Sequence, residues 1–167
     1  MVRICEYASV TSVTPKSYTD EIILRLDSSG GMVHTYGLAA SQLGRINSAK
    51  IPLTICVDQV AASGGYMMAC MANHITAAPF ALVGSIGVVA EVPNVHRLLK
   101  KHSIDVEVLT AGEHKRSLTV IGENTRKGRD KFVEDLQQTH GLFKSWVKLQ
   151  RPQLDMDQVA NGDVWYG

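Results

Sequence analysis

Apolar and polar positions divide the first part of the chain into a strand, a turn and a helix. Glu21–Leu26, EIILRL, is a compact β-prone run that predicts a strand. It stops at Asp27–Gly31, DSSGG, where two adjacent glycines favour a turn with positive φ and exposed backbone N–H groups. The next segment, Thr35–Ser48, is predicted to be a helix because its apolar residues share one face, namely Leu38, Ala39, Leu43 and Ile46.

Strands and helices continue to alternate through the middle of the chain. Pro52–Asp58, PLTICVD, predicts a second apolar strand, and Ala61–Asn73 predicts a helix that begins near Ser63. His74–Ala78 predicts a short strand ended by a proline. The glycine-punctuated segment Val83–Ala90, VGSIGVVA, predicts a loop and a strand.

The remaining residues complete this order. Asn94–His102 predicts a short helix with a basic end, and Ile104–Leu109 alternates as a strand. Arg129–Leu149 predicts the longest helix, weakened by Gly141, and the last residues, 156–167, begin a further element. Alternating strands and helices predict α/β layers with a substantially parallel sheet.

Composition narrows the class of protein. A chain of 167 residues suits one domain with a real core, and 45% apolar with 20% charged residues is ordinary for a globular protein. The net charge is +1, and no basic stripe stands out. Nucleic acid is therefore not an expected partner.

Cysteines and apolar runs exclude further classes. The three cysteines, Cys5, Cys56 and Cys70, are odd in number and form no CxxC pair, so neither a disulfide framework nor a zinc site is expected. Apolar stretches reach only about ten residues where a membrane span needs roughly 20. Met1–Val10 lacks the pattern of a signal peptide. We expect a soluble chain with no membrane segment and no cofactor.

Ser63 stands between small residues in VAASGGYMMACMAN, the stretch Val60–Asn73. Small neighbours leave its side chain uncovered and allow another chain to approach the backbone. This arrangement can present an attacking serine, and it can equally cap a helix.

An attacking serine needs a base, and the chain offers two kinds. Six histidines are present, none in a distinctive motif: His34, His74, His96, His102, His114 and His140. Lys115 lies in TAGEHKRSLT after a predicted strand, and it can act as a base only where desolvation or a neighbouring cation lowers the ammonium pKa. A solvated basic loop is the alternative interpretation of that segment.

Other chemistry has little support in the sequence. No HExxH, clustered His-Cys pair or paired carboxylates indicate a metal site, and AGEHKRS lacks the glycine pattern of a phosphate loop.

Acyl transfer needs two donors for the developing oxyanion. Gly64 N–H beside Ser63 is one candidate, and the Gly30–Gly31 turn is the other, although both segments can also serve only as turn and cap.

Four ordered motifs resemble one known family. DSSGG after IILRL, then VDQVAASGGYMMAC, GSIGV and TAGEHKRSLT are similar to the signal peptide peptidase A family of serine proteases, peptidase family S49. The nearest match within the family is the SohB type. GENTRKGRDKFVEDLQQTHGLFKSWVK and VANGDVWYG are also SohB-like, so the resemblance covers roughly Glu21–Gly167.

The resemblance implies a fold and a catalytic dyad. The family's fold is a Clp–crotonase-like α/β spiral of β-β-α units in a single domain. Its serine nucleophile falls on Ser63 and its lysine base on Lys115, which would be buried and neutral. The backbone donors of its oxyanion hole correspond to Gly31 and Gly64.

The resemblance also implies partners and a location. Homo-oligomeric rings are usual, and the lysine can come from a neighbouring protomer. Expected substrates are extended peptides, such as signal-peptide remnants or unfolded envelope and membrane polypeptides, bound by strand addition. The full-length protein is expected to be anchored in the bacterial cytoplasmic membrane with a periplasmic core.

Two departures and two competing hypotheses accompany this interpretation. Ser29 stands where the family usually has proline, and Met1–Asp20 is left unassigned, so a catalytic-core fragment or a misplaced gene start is expected.

The same fold with an incomplete site would be a non-catalytic binding or assembly module. A crotonase-like acyl-CoA enzyme would share the fold and the glycine turn without needing an attacking serine.

Overall fold

A computed structural model describes residues 21–167, which form two compact units. The first unit comprises residues 21–87 together with Phe143–Gly167, and the second is Val88–Leu142. The mixed α/β class predicted from the sequence is confirmed.

A five-stranded sheet lies at the centre of the first unit. Its strands are β1 (Ile22–Ser28), β2 (Leu53–Ala62), β3 (His74–Ala77), β4 (Leu82–Gly84) and β5 (Val164–Tyr166). Strand β2 pairs in parallel with β1 on one edge and with β3 and then β4 along the other. Only β5 runs antiparallel, against β4. The prediction of a substantially parallel sheet is therefore confirmed.

Apolar residues of β1 and β2 form the middle of the core. Leu53, Ile55 and Val57 alternate along β2 and are fully or almost fully buried, as are Leu24 and Leu26 on β1. Alternate residues of a strand point to the same face, so this spacing buries one face of each strand. The register pairs Leu24 with Ile55 and Leu26 with Val57.

The helices follow the predicted order with changed lengths. They are α1 (Val33–Ser48), α2 (Gly64–Ala69), α3 (His96–Lys101), α4 (Arg126–Gln150) and α5 (Met156–Val159). Helix α1 matches its prediction closely. Helix α2 begins beside Ser63, as predicted, but has only 6 residues because it ends at Ala69, before the predicted end at Asn73. Helix α4 extends through Gly141, where a side chain would meet open space.

One predicted strand is wrong. Ile104–Leu109 alternates in sequence but forms no strand in the structure, and Ile104, Val108 and Leu109 are exposed. A strand needs a ladder of hydrogen bonds to a neighbour, and among residues 21–167 nothing supplies one here. The C-terminal segment, by contrast, does form further elements, the short helix α5 and strand β5.

Residues 21–167 include two of the three cysteines and all the helices that the structure describes. In the part of the chain that the structure describes, no helix has the length and hydropathy needed to cross a bilayer. Cys70 is fully buried and Cys56 is half-buried, and both are free thiols. Cys5 lies outside the described residues.

Candidate active site

Ser63 occupies a sharp turn between β2 and α2. Its backbone has φ 52° and ψ −121°, a conformation that L-residues rarely adopt. Such conformations cost of order 1–3 kcal/mol and persist only where the surroundings hold them. The Ser63 N–H donates to Gly84 O at 2.8 Å, and the Met67 N–H donates to Ser63 O at 3.0 Å. The turn is thereby held from β4 on one side and from α2 on the other.

The side chain of Ser63 does not cap the helix. A capping serine accepts a hydrogen bond from a backbone N–H in the first turn, and Ser63 makes no such bond. Its hydroxyl also makes no hydrogen bond to any other residue that the structure describes. The capping interpretation of Ser63 is therefore wrong. The half-buried Ser63 hydroxyl is therefore held on a strained turn and makes no structural hydrogen bond among the described residues.

The DSSGG turn packs directly on this serine turn. Gly30 has φ +97°, and a methyl group built on it would lie 2.8 Å from both Gly64 N and Ser63 Cβ. A methyl group on Gly65 would in turn collide with the carbonyl oxygen of Ser28. Glycine at these positions lets the two backbones touch. The structure thus brings together two motifs that are some thirty residues apart in sequence.

Two backbone donors lie at this junction. The N–H groups of Gly31 and Gly64 make no hydrogen bond within residues 21–167, whereas Gly30 N–H donates to Ser28 Oγ at 3.3 Å. Both Gly31 and Gly64 lie against the ring of Tyr36. Unpaired N–H groups beside a serine hydroxyl are what an oxyanion hole requires.

The C-terminal end of α2 and the residues just after it are held by the last turn of α4 and by Arg151, which follows α4. Trp146 Nε1 donates to Met67 O at 3.3 Å, and the Arg151 guanidinium donates to Ala72 O at 2.5 Å. The Cys70 thiol donates to Met67 O at 3.2 Å. These donors pair carbonyl groups that the end of a short helix would otherwise leave unsatisfied. The helix behind Ser63 is therefore anchored at both ends.

The Cys70 thiol is expected to make stability fall at alkaline pH. Burial raises its pKa to about 12 from an ordinary 9.0, and the opposing effect of Arg151 is smaller. Between these values the unfolded chain releases a proton that the folded chain keeps, so the free energy of unfolding decreases as pH rises. In urea unfolding over this pH range, the free energy of unfolding of Cys70→Ala should decrease with pH less steeply than that of the wild type. The difference in slope should be about 1.4 kcal/mol per pH unit. An unchanged slope in that variant would contradict a buried, protonated thiol.

Lys115 belongs to the second unit, and Ser63 belongs to the first. It is exposed in a turn, where its N–H donates to Gly112 O at 3.1 Å. Neighbouring Glu113 pairs with Lys127 at 2.6 Å and so ties the turn to the start of α4. Residues 21–167 of one chain do not bury Lys115, so the burial that the resemblance implies stays a prediction.

The described histidines and acidic residues are the other possible reactive groups to compare with Ser63. In the first unit neither His34 nor His74 makes a hydrogen bond to Ser63 Oγ, and in the second unit His114 approaches Glu113 at 3.9 Å. Across residues 21–167, no three His, Cys, Asp or Glu side chains are grouped to hold a metal ion. The first unit therefore offers a serine hydroxyl and two free backbone donors as its reactive groups.

A match to a family model shows the family of this chain. The model described as "Peptidase family S49" matches residues 45–167, and "Peptidase family S49 N-terminal" matches residues 6–43. The chain belongs to peptidase family S49. The N-terminal match extends the similarity into Met1–Asp20, which sequence reasoning left unassigned and which lies outside the described residues.

Curated relatives place this S49 chain beside the SohB type. It is 62% identical over 148 residues to "Probable protease SohB" of Haemophilus influenzae, covering 89% of the chain and 42% of that relative. It is 57% identical over 162 residues to "Putative protease SohB" of Buchnera aphidicola subsp. Baizongia pistaciae, covering 97% of the chain and 46% of the relative. "Serine protease SPPA, chloroplastic" of Arabidopsis thaliana is 31% identical over 95% of the chain and 24% of its own length.

These findings confirm the predicted family. The relatives are named proteases, and the family is a peptidase family. The S49 chain spans less than half the length of the relatives it matches.

Sequence reasoning missed three residues of the site in this S49 chain. Tyr36 lies against both glycines that carry the candidate donors, Ser28 pairs with Tyr36 through its side chain, and Gly84 accepts from the Ser63 N–H. Gly84 stands in the GSIGV motif, so the resemblance could have indicated it. Ser28 stands in the DSSGG motif, whereas Tyr36 carries no local signal, because its contacts arise only when the turn folds onto α1 and α2.

Proposed function

We propose that this chain carries the catalytic residues of a serine endopeptidase. Ser63 is the nucleophile, the N–H groups of Gly31 and Gly64 bind the oxyanion, and Lys115 is the general base. One observation carries the proposal: Ser63 is held at positive φ with a hydroxyl that caps nothing, beside backbone N–H groups that pair with nothing described. Strained backbone of this kind clusters at active sites.

The chemistry follows from these groups. Ser63 Oγ attacks the peptide carbonyl carbon while its proton moves to the neutral amine of Lys115. The carbonyl oxygen becomes an oxyanion that accepts hydrogen bonds from Gly31 and Gly64. The C–N bond then breaks, Lys115 returns the proton to the leaving amine, and an acyl-enzyme remains. Lys115 next takes a proton from water as the water oxygen adds to the ester carbonyl carbon. The C–Oγ bond then breaks, Lys115 returns the proton to Ser63 Oγ, and the acid leaves.

Lys115 needs an environment that its own unit does not supply. A general base must be neutral, and desolvation favours the neutral amine, but Lys115 is exposed in the single chain. We propose that Clp–crotonase-type spirals assemble into a homo-oligomeric ring, where a neighbouring protomer or the bound peptide covers this lysine. The base would then reach the Ser63 of a second copy.

The expected substrates are extended peptides, including signal-peptide remnants and unfolded envelope or membrane polypeptides. The names of the relatives support proteolysis in general. Strand β1 lies at one edge of the sheet, where an extended peptide could pair by its main chain. We further propose that the full-length protein is anchored in the cytoplasmic membrane with a periplasmic core.

Intact-mass labelling with a fluorophosphonate probe tests the dyad. Ser63 Oγ bonds to phosphorus and fluoride leaves, so one adduct is expected on the wild type. We expect none on Ser63→Ala and at least a hundredfold slower labelling of Lys115→Ala, an effect of about the size that general-base catalysis supplies. His114→Ala, which removes the adjacent histidine, should label at the wild-type rate.

Mixing the two inactive variants tests whether the lysine acts between protomers. In a ring assembled at random from Ser63→Ala and Lys115→Ala copies, about one quarter of all subunits would combine Ser63 with a neighbouring Lys115. Recovered labelling of the Lys115→Ala mass supports that arrangement. No adduct on a wild-type protein that assembles normally would refute the peptidase proposal and favour a non-catalytic module.

A further inference from the structure

Tyr36 lies on the first turn of α1 and faces the serine site. A methyl group on Gly31 would lie 2.9 Å from Tyr36 Cε2, and one on Gly64 would collide with Tyr36 Cγ. One aromatic ring therefore contacts the two glycines whose N–H groups are the proposed oxyanion donors. These glycines belong to separate segments, and the ring bridges them.

The hydroxyl of Tyr36 extends the same contact. It forms a hydrogen bond with Ser28 Oγ at 2.8 Å, and Ser28 Oγ also accepts from Gly30 N–H at 3.3 Å. Ser28 is buried at the end of β1, and its carbonyl oxygen lies against Gly65. The network joins the end of β1, the glycine turn and the start of α2.

We propose that Tyr36 is a positioning residue for the oxyanion hole. The inference rests on the proposed function, in which Gly31 and Gly64 bind the oxyanion. Donors act at full strength only within 2.7–3.1 Å of the developing oxyanion. A turn with two adjacent glycines has unusual conformational freedom, so something outside the turn must fix its N–H directions. The ring limits the approach of the two glycines, and the hydroxyl holds the turn through Ser28.

Two variants separate the ring from the hydroxyl. Tyr36→Phe keeps the ring and removes the bond to Ser28, whereas Tyr36→Leu removes the ring as well. We expect kcat on a peptide substrate to fall about threefold to tenfold for Tyr36→Phe and about a hundredfold for Tyr36→Leu, since losing one oxyanion donor costs about 10²–10³. KM should change by less than about twofold, because the donors act mainly in the transition state.

The readouts distinguish positioning from folding. All rates are measured on the full-length protein in its native assembly and divided by the number of sites that the fluorophosphonate titrates. A peptide aldehyde, which forms a tetrahedral oxyanion adduct, should lose affinity in proportion to the loss of kcat/KM. Tyr66→Phe removes a hydroxyl from the neighbouring helix α2 and serves as the matched control, with kcat expected within about twofold of wild type.

Each outcome decides the question. Unchanged kcat per titrated site in Tyr36→Phe and Tyr36→Leu, or unchanged aldehyde affinity, overturns the inference while wild-type activity stands. A loss explained wholly by fewer titrated sites or by raised KM also overturns it. If Tyr36→Leu does not assemble, Tyr36→Phe alone decides by the same two readouts. Absence of labelling in the wild type would instead overturn the proposed function itself.

Discussion

Ser63→Ala is expected to lower kcat on a peptide substrate by a factor of about 10⁴ or more, leaving the fold intact. The substitution removes the oxygen that would form the acyl-enzyme in the proposed mechanism. The hydroxyl makes no structural hydrogen bond, so alanine should cost little stability. Peptide hydrolysis and urea unfolding of the same preparation measure both effects.

Ser63→Gly is the matched control for the backbone. It removes the same oxygen and should be equally inactive, but glycine adopts φ 52° without steric cost. We expect its free energy of unfolding to exceed that of Ser63→Ala by about 0.5–1 kcal/mol. Residual hydrolysis in Ser63→Ala that a fluorophosphonate still blocks would place the nucleophile elsewhere. Equal stability of the two variants would count against strain at this turn.

Gly30→Ala is expected to lower the free energy of unfolding by about 3 kcal/mol and to abolish acylation of Ser63. Alanine at φ +97° is strained, and its methyl group would meet Gly64 N, Ser63 Cβ and Ala62 O within 2.9 Å. Those contacts are mainly with backbone, which cannot move aside without shifting the serine turn. Urea unfolding and the rate of fluorophosphonate labelling report the two effects.

Gly162→Ala separates the steric effect from backbone strain. Gly162 has φ +92°, close to that of Gly30, but a methyl group there would meet nothing within 4 Å. We expect the free energy of unfolding of Gly162→Ala to be about 1 kcal/mol lower than that of the wild type. Its rate of fluorophosphonate labelling should equal that of the wild type. If Gly30→Ala were no worse than Gly162→Ala, the close approach of the DSSGG turn to Ser63 would be refuted.

These variants act on a site assembled from backbone as much as from side chains. The glycine turn, the serine turn and β4 meet through close backbone contacts and a hydrogen bond from Ser63 N–H to Gly84 O. Small residues are needed wherever two main chains approach this closely. The conspicuous glycines in DSSGG and ASGGY thus have a physical reason in the structure.

The sequence by itself determined the local elements and the family. Periodic apolar residues predicted β1, α1, β2 and α4, since burying one face of each element requires that spacing. Four ordered motifs were enough to indicate peptidase family S49, which the family model confirms. The same local patterns failed at Ile104–Leu109, because alternation describes a strand but cannot provide its partner.

Tertiary structure alone decided that Ser63 does not cap its helix and that Lys115 is exposed in the single chain. Whether a serine caps a helix depends on its φ, ψ and hydrogen bonds, which its small neighbours leave open. Tyr36 reaches Gly31 and Gly64 only when α1 folds beside the serine turn, so no sequence spacing encodes that contact. Burial is likewise a property of everything packed around a residue, and the exposed position of Lys115 could be known only from the folded chain.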